Sequence, residues 1–91
     1  MIKKSIVLPS ETALTLSFAE RVVEAGRAFQ SMLKMECGCA SVNIRSTLGI
    51  ISLGRYAEMP AVLIAEGSDE EEALRTVSAL FEAPGNPQAE G

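Results

Sequence analysis

The chain contains no histidine and no tryptophan, only one tyrosine and three phenylalanines, and just two cysteines. The missing histidine removes the side chain that most often moves protons or accepts a phosphoryl group near neutral pH, and also the commonest metal ligand. Cys37 and Cys39 are separated only by Gly38, so a disulfide between them would be strained. They lack the second cysteine pair, or the histidines, of a tetrahedral zinc site. Reduced thiols in a turn are expected, with an interchain disulfide or an adventitious metal as the alternatives. Basic residues are few, eight against twelve acids, and they are scattered from Lys3 to Arg75 with a formal net charge of −4. No basic stripe exists to follow a nucleic-acid backbone, so no direct nucleic-acid partner is expected. Long apolar runs are also missing. Ile50-Ile51 and residues 61–65 fall well short of the roughly 20 residues of a membrane span, and MIKKSIVLPS holds no long apolar segment before a cleavage site. A soluble, cytoplasmic chain without a membrane partner is expected.

What is present suits one small domain, since 91 residues at 47% hydrophobic content can enclose a single core. Residues 2–8 read as a strand with Ile2, Ile6 and Leu8 on one side and Lys4 interrupting the pattern, stopped by Pro9-Ser10. Residues 16–29 carry Ala19, Val22, Val23 and Gly26 at helical spacing, with Glu20, Arg21, Glu24 and Arg27 largely opposite and Thr15 as the expected N-cap. A hairpin follows, residues 32–37 and 40–44 around Gly38. Ser46 precedes a short apolar helix over residues 48–53, which Gly54 is expected to close. Residues 61–65 form an apolar fourth strand after Pro60. Ser68-Asp69-Glu70-Glu71 has the form of a capping box with Ser68 as N-cap, opening a last helix through Ala73, Leu74, Val77, Leu80 and Phe81. Pro84, Gly85 and Pro87 break that helix, so residues 1–83 are expected as the domain and 84–91 as a flexible tail. The order βαββαβα predicts an α+β fold, a four-stranded antiparallel sheet with three helices on one face.

The stretch Arg45-Ser46-Thr47-Leu48-Gly49-Ile50-Ile51-Ser52-Leu53-Gly54 resembles the regulatory segment of the HPr phosphocarrier family. In that family a serine is followed by an apolar pair, Gly, two further apolar residues and Ser-Leu-Gly. The resemblance runs from Lys3 to Phe81 and includes Ala65-Glu66-Gly67-Ser68-Asp69-Glu70 ahead of the last helix. It implies the HPr-like open-faced β-sandwich. The family's other motif, Gly-(Ile/Leu)-His-(Ala/Thr)-Arg-Pro-Ala, falls on Ala13-Leu14-Thr15-Leu16-Ser17-Phe18-Ala19. The phosphocarrier histidine is therefore Thr15 here, and the arginine that helps hold its phosphate is Ser17. A hydroxyl is weakly nucleophilic and gives a stable phosphoester, so Thr15 supports no phosphoryl relay. The Arg-to-Ser and Pro-to-Phe replacements also remove the anion clamp, and Leu16 and Phe18 make this helix start more apolar.

Ser46 has an ordinary role available, accepting a hydrogen bond from the N–H of Leu48 or Gly49 as an N-cap worth about 1 kcal/mol. The resemblance implies a second role, because in the family this serine is the target of the HPr kinase/phosphorylase, and a phosphate there meets free N–H groups. Arg45 is a candidate counter-charge. The histidine-lacking, Crh-like members offer the nearest parallel, since in serine-phosphorylated form they assist a catabolite-control regulator. The family arginine engaged in that complex is again Ser17 here. A Crh-like regulatory protein tied to the sugar phosphotransferase system (PTS) is the expected function. Its partners would be the kinase/phosphorylase and a catabolite-control regulator or other PTS-linked proteins. The alternative is a phosphorylation-independent docking module using Leu16, Leu48 and Ile51. In either case the resemblance implies that partners meet Leu16, Arg45, Thr47, Leu48 and Ile51, and that the chain is a monomer or a strand-swapped dimer. No catalytic residue, metal or cofactor is expected. Asp69, Glu70, Glu71 and Glu72 are consecutive at a helix start, where acids complement the helix dipole, and Glu11 beside Thr12 and Thr15 comes without an oxyanion site or substrate pocket.

Overall fold

The computed structural model describes residues 1–83, so the expected tail over 84–91 lies outside the described residues. Four strands, β1 (Ile2–Val7), β2 (Met32–Cys37), β3 (Ala40–Asn43) and β4 (Pro60–Glu66), form one sheet in the order β1-β4-β2-β3. Every neighbouring pair is antiparallel, with Ile2 opposite Ala65, Leu33 opposite Ala65 and Lys34 opposite Asn43. Three helices, α1 (Leu16–Arg27), α2 (Thr47–Ser52) and α3 (Glu70–Glu82), cover one face. Short 3-10 turns at Glu11–Ala13 and Leu53–Tyr56 complete the path. The α+β fold expected from the sequence is the one observed.

Each element follows from where its apolar side chains fall. In α1, Phe18, Ala19, Val22, Val23 and Gly26 are buried, the stripe the helical spacing predicts. In β2, burial alternates so that Leu33, Met35 and Cys37 point into the core. Strand β4 buries Ala61, Leu63 and Ala65 against the helices, and Ile64 on the opposite face is also 2% exposed, between its partners Lys3 and Lys34. The long lysine stems can cover that side chain while their ammonium groups stay wet. Lys4, the interruption in β1, lies on the core-facing side and escapes at the sheet edge: its Nζ donates to Ser78 Oγ at 3.4 Å and pairs with Glu82 at 3.3 Å. Phe18 and Phe81 join α1 to α3 edge-to-face, with ring centroids 5.3 Å apart.

Two helix ends differ from the sequence expectation. Gly54 does not close α2, because the chain tightens into the 3-10 turn Leu53–Tyr56 and Gly54 sits inside it, against Glu11. Ser68 does not cap α3 either. Asp69 occupies the N-cap position, and its carboxylate turns away from the helix to accept from Gln30 N at 2.9 Å, Ser31 N at 3.0 Å and Ser31 Oγ. Glu70 takes the reciprocal part, accepting from Gly67 N at 3.1 Å and pairing with the N-terminal ammonium at 3.2 Å. Gly67 has φ +154, and a β-carbon there would lie 2.7 Å from Ser31 Cα. Only glycine fits where these two turns meet.

Candidate functional site

The starts of α1 and α2 build the site. Thr15 precedes α1 in an extended conformation (φ −87, ψ 168), and its Oγ1 accepts from Phe18 N at 3.1 Å. The residue standing where the family has its phosphocarrier histidine is thus a helix cap. Phe18, at the family's proline position, is 2% exposed and packs on Phe81. It belongs to the core, so of the two residues that make this helix start more apolar only Leu16 is exposed. Ser17 faces α3, lining a groove with Glu20, Arg21, Glu24, Ala25, Thr76 and Leu80.

Ser46 sits at the end of a turn that the sequence reading did not identify. Asn43 Oδ1 accepts from Arg45 N at 2.8 Å and Asn43 O accepts from Ser46 N at 3.0 Å. Asparagine and aspartate favour such turns because their side chains mimic a backbone carbonyl. Ser46 then caps α2, its Oγ accepting from Gly49 N at 3.1 Å. Gly49 is required by space. A β-carbon there would come within 2.8 Å of Val42 Cγ1 and 3.2 Å of Ser46 Oγ. The glycine between Leu48 and Ile50 therefore lets α2 lie close over β3 with the Ser46 hydroxyl beside it. Ile50, fully buried, anchors the other side of this short helix.

Arg45 is not placed as a counter-charge. Its Nη2 donates to Gly26 O at 2.9 Å, Phe29 O at 2.5 Å and Ser31 O at 3.0 Å. Carbonyls at the C-terminal end of a helix lack intrahelical donors and attract a cation, so this guanidinium fastens the end of α1 and the following turn. Thr47 is half-buried and lies beside α1. Leu16, Leu48 and Ile51 are exposed by 56, 79 and 36%, and they stand on two helices that pack against each other. Glu11 packs on Gly54, and the hydroxyl of Thr12 lies 3.0 Å from that of Ser10.

Cys37 is buried in β2, its Sγ 3.6 Å from Pro60 O, and Cys39 is exposed in the adjacent turn. Burial pushes the Cys37 thiol above its ordinary pKa. The Asp69 carboxyl is held below its ordinary value, first by the Ser31 hydroxyl and then by the Gln30 amide. Among the described residues, no cluster of three or more His, Cys, Asp or Glu is placed to hold a metal. No described helix is long and apolar enough to cross a membrane.

This architecture has solved counterparts. HPr-C-His from Thermoanaerobacter tengcongensis superposes with a TM-score of 0.80 at 33% identity, covering 92% of this chain and 94% of that one. An HPr dimer from the same organism gives 0.69 at 33% identity, covering 94 and 100%. The Bacillus subtilis catabolite-repression protein Crh, solved as a dimer with a swapped domain, gives 0.71 at 28% identity, covering 87 and 86%. Residues 2–83 match the family described as "PTS HPr component phosphorylation site", and with the fold, the capped Ser46 helix and this match in agreement, the chain belongs to the HPr family.

Proposed function

We propose that this chain is a regulatory member of the HPr family, Crh-like in lacking the phosphocarrier histidine and controlled by phosphorylation at Ser46. The observation that carries the reading is a contrast between the two helix starts. At α1 the family's histidine is a threonine whose oxygen is occupied as a cap, and the chain holds no other histidine to take a phosphoryl group. At α2 the serine, the glycine that makes room for it and the flanking apolar residues all remain. A phosphate on Ser46 replaces a weak neutral acceptor with a charge of about −1.5 to −2 carrying three acceptor oxygens. That is a large local change on a surface that otherwise presents Leu48 and Ile51.

The partners that go with this reading are an HPr kinase/phosphorylase and a catabolite-control regulator or other PTS-linked protein, in the cytoplasm, without direct nucleic-acid contact. Incubation with an HPr kinase and ATP, followed by mass spectrometry, is expected to place one phosphate on Ser46 and none on S46A. An unmodified Ser46 would refute the reading. The swapped-domain dimer of Crh supplies a precedent for exchange, and among the described residues β1 is an edge strand paired with β4 alone. Light scattering distinguishes a monomer from a strand-swapped dimer.

A second reading is favoured by the exposure of Leu16, Leu48 and Ile51. Exposed apolar side chains on two adjoining helices suit a contact surface, and docking through them needs no phosphate. Pull-downs with phosphorylated and unmodified protein side by side separate the two readings. If docking dominates, both forms retain the same partner and L48S loses it. L48S itself is expected to change stability by less than about 0.5 kcal/mol, as surface substitutions usually do.

A further inference from the structure

Ser46 lies between Arg45 and Thr47, and both abut the last turn of α1. Arg45 Cγ is 3.7 Å from where a β-carbon on Gly26 would stand. Thr47 lines a shallow depression of about 260 Å³ together with Glu20, Val23, Glu24 and Arg27 of α1. Three charged groups of that helix, two acidic and one basic, therefore line the depression beside Thr47, the residue that follows Ser46, while Arg45 is engaged by the carbonyls of Gly26, Phe29 and Ser31.

Arg27 differs from Arg45 in how it is held. Its Nη1 meets Glu24 Oε2 at 3.3 Å, an i,i+3 pair whose side chains are 67 and 76% exposed. Exposed pairs of this kind contribute little and exchange readily. A dianionic phosphate offers a guanidinium more charge and more acceptor oxygens than a single carboxylate.

We propose that, once Ser46 is phosphorylated, Arg27 leaves Glu24 and becomes the counter-charge of the phosphate across the depression beside Thr47. The inference rests on the Ser46 reading and deepens it. It assigns to Arg27, near the C-terminal end of α1, the anion-holding part for which Arg45 is unavailable and Ser17 has no charge. It also gives the phosphate a second effect. Glu24, released from Arg27, adds a carboxylate to that stretch of α1, so a partner of the phosphorylated form would meet a phosphate and the Glu24 carboxylate together.

The test installs phosphoserine at position 46 during synthesis through an expanded genetic code, so no kinase needs to recognise the protein. Phosphorus NMR then follows the second phosphate ionisation, which lies near pH 6 for phosphoserine. In the native background it is expected about 0.3 pH units lower than in R27Q, the scale of an exposed ion pair. R27K is expected to restore part of the difference, and E24Q, which removes the competing carboxylate, to lower the value further. R55Q, at an exposed arginine outside the depression, controls for general charge and is expected to have no effect. An R27Q value equal to native, or an equal response to R55Q, overturns the proposal. Failure of a kinase to modify Ser46 would instead overturn the functional reading and leave this measurement intact.

Discussion

Arg45 and Asp69 grip the same residue from two sides: Arg45 Nη2 donates to Ser31 O, while the Asp69 carboxylate accepts from Ser31 N and Oγ. One positive and one negative side chain, from different parts of the chain, thus fix the turn between α1 and β2. Ser31 is fully buried, so neither its amide nor its carbonyl has water as a substitute partner.

The Asp69 contact predicts a specific acid limb of stability. The folded state holds this carboxyl below its ordinary pKa, with the Ser31 hydroxyl as the first cause. A depressed carboxyl stabilises the fold fully above the unfolded value, about 3.9 for Asp. That contribution fades as pH falls toward the lower folded value. Urea midpoints measured between pH 2 and pH 6 are expected to fall less steeply with acid in D69N, which also starts from a lower midpoint near neutrality. Parallel curves for the two proteins would show that the carboxylate is not responsible.

Gly49→Ala tests the close approach of α2 to β3. The added methyl meets Val42 Cγ1 at 2.8 Å and Ser46 Oγ at 3.2 Å, so a loss of about 1–3 kcal/mol is expected, the usual scale of overpacking. The double variant G49A/V42A is expected to recover part of it, because truncating Val42 removes the shorter contact. Denaturant titration gives both numbers.

Phe18→Ala is expected to cost about 3–5 kcal/mol, as large-to-small changes at buried aromatic positions do. Phe18→Pro, which restores the family's residue, is expected to be damaging for another reason. Proline has no N–H, and the Phe18 amide is the donor to Thr15 Oγ1. The loss of the α1 cap is read by circular dichroism and thermal unfolding. T15S, which keeps the acceptor, is expected to stay close to native, and T15A to lose about 1 kcal/mol.

Thiol chemistry separates the two cysteines. Cys39 is exposed and Cys37 is buried with its thiol pKa raised, and alkylation needs an accessible thiolate. Brief iodoacetamide treatment is expected to label Cys39 alone in the folded protein and both residues in urea, as read by peptide mass spectrometry. Labelling of Cys37 at a comparable rate without denaturant would contradict its place in β2.

The fold was largely readable because its signals are local. The stripe of Ala19, Val22 and Val23, the alternation in β2 and the caps Thr15 and Ser46 each depend on neighbours a few residues away. The misplaced features depend on distant partners. Ser68-Asp69-Glu70-Glu71 carries the composition of a capping box, yet Asp69 is claimed by Ser31 and the helix begins a residue later than that pattern implies. Arg45 next to Ser46 invites a local pairing, but the carbonyls at and just beyond the end of α1 claim it. Of the residues expected to meet partners, Leu16, Leu48 and Ile51 are indeed surface groups. Their exposure was not legible, because the same apolar pattern serves a buried helix face equally well.

The sheet order has a bearing on how the protein comes into being. Strand β4 stands between β1 and β2, so when a ribosome delivers the chain from its N-terminus, the first strand emerges long before the strand it pairs with. Until residues 60–66 arrive, β2 and β3 can form just a lone hairpin, and lone hairpins are marginal in water. The nascent chain must therefore carry its Ile2–Val7 segment unpaired for most of synthesis, and that segment bears Lys3 and Lys4, charges of the kind that keep an unpartnered strand from seeking the wrong edge.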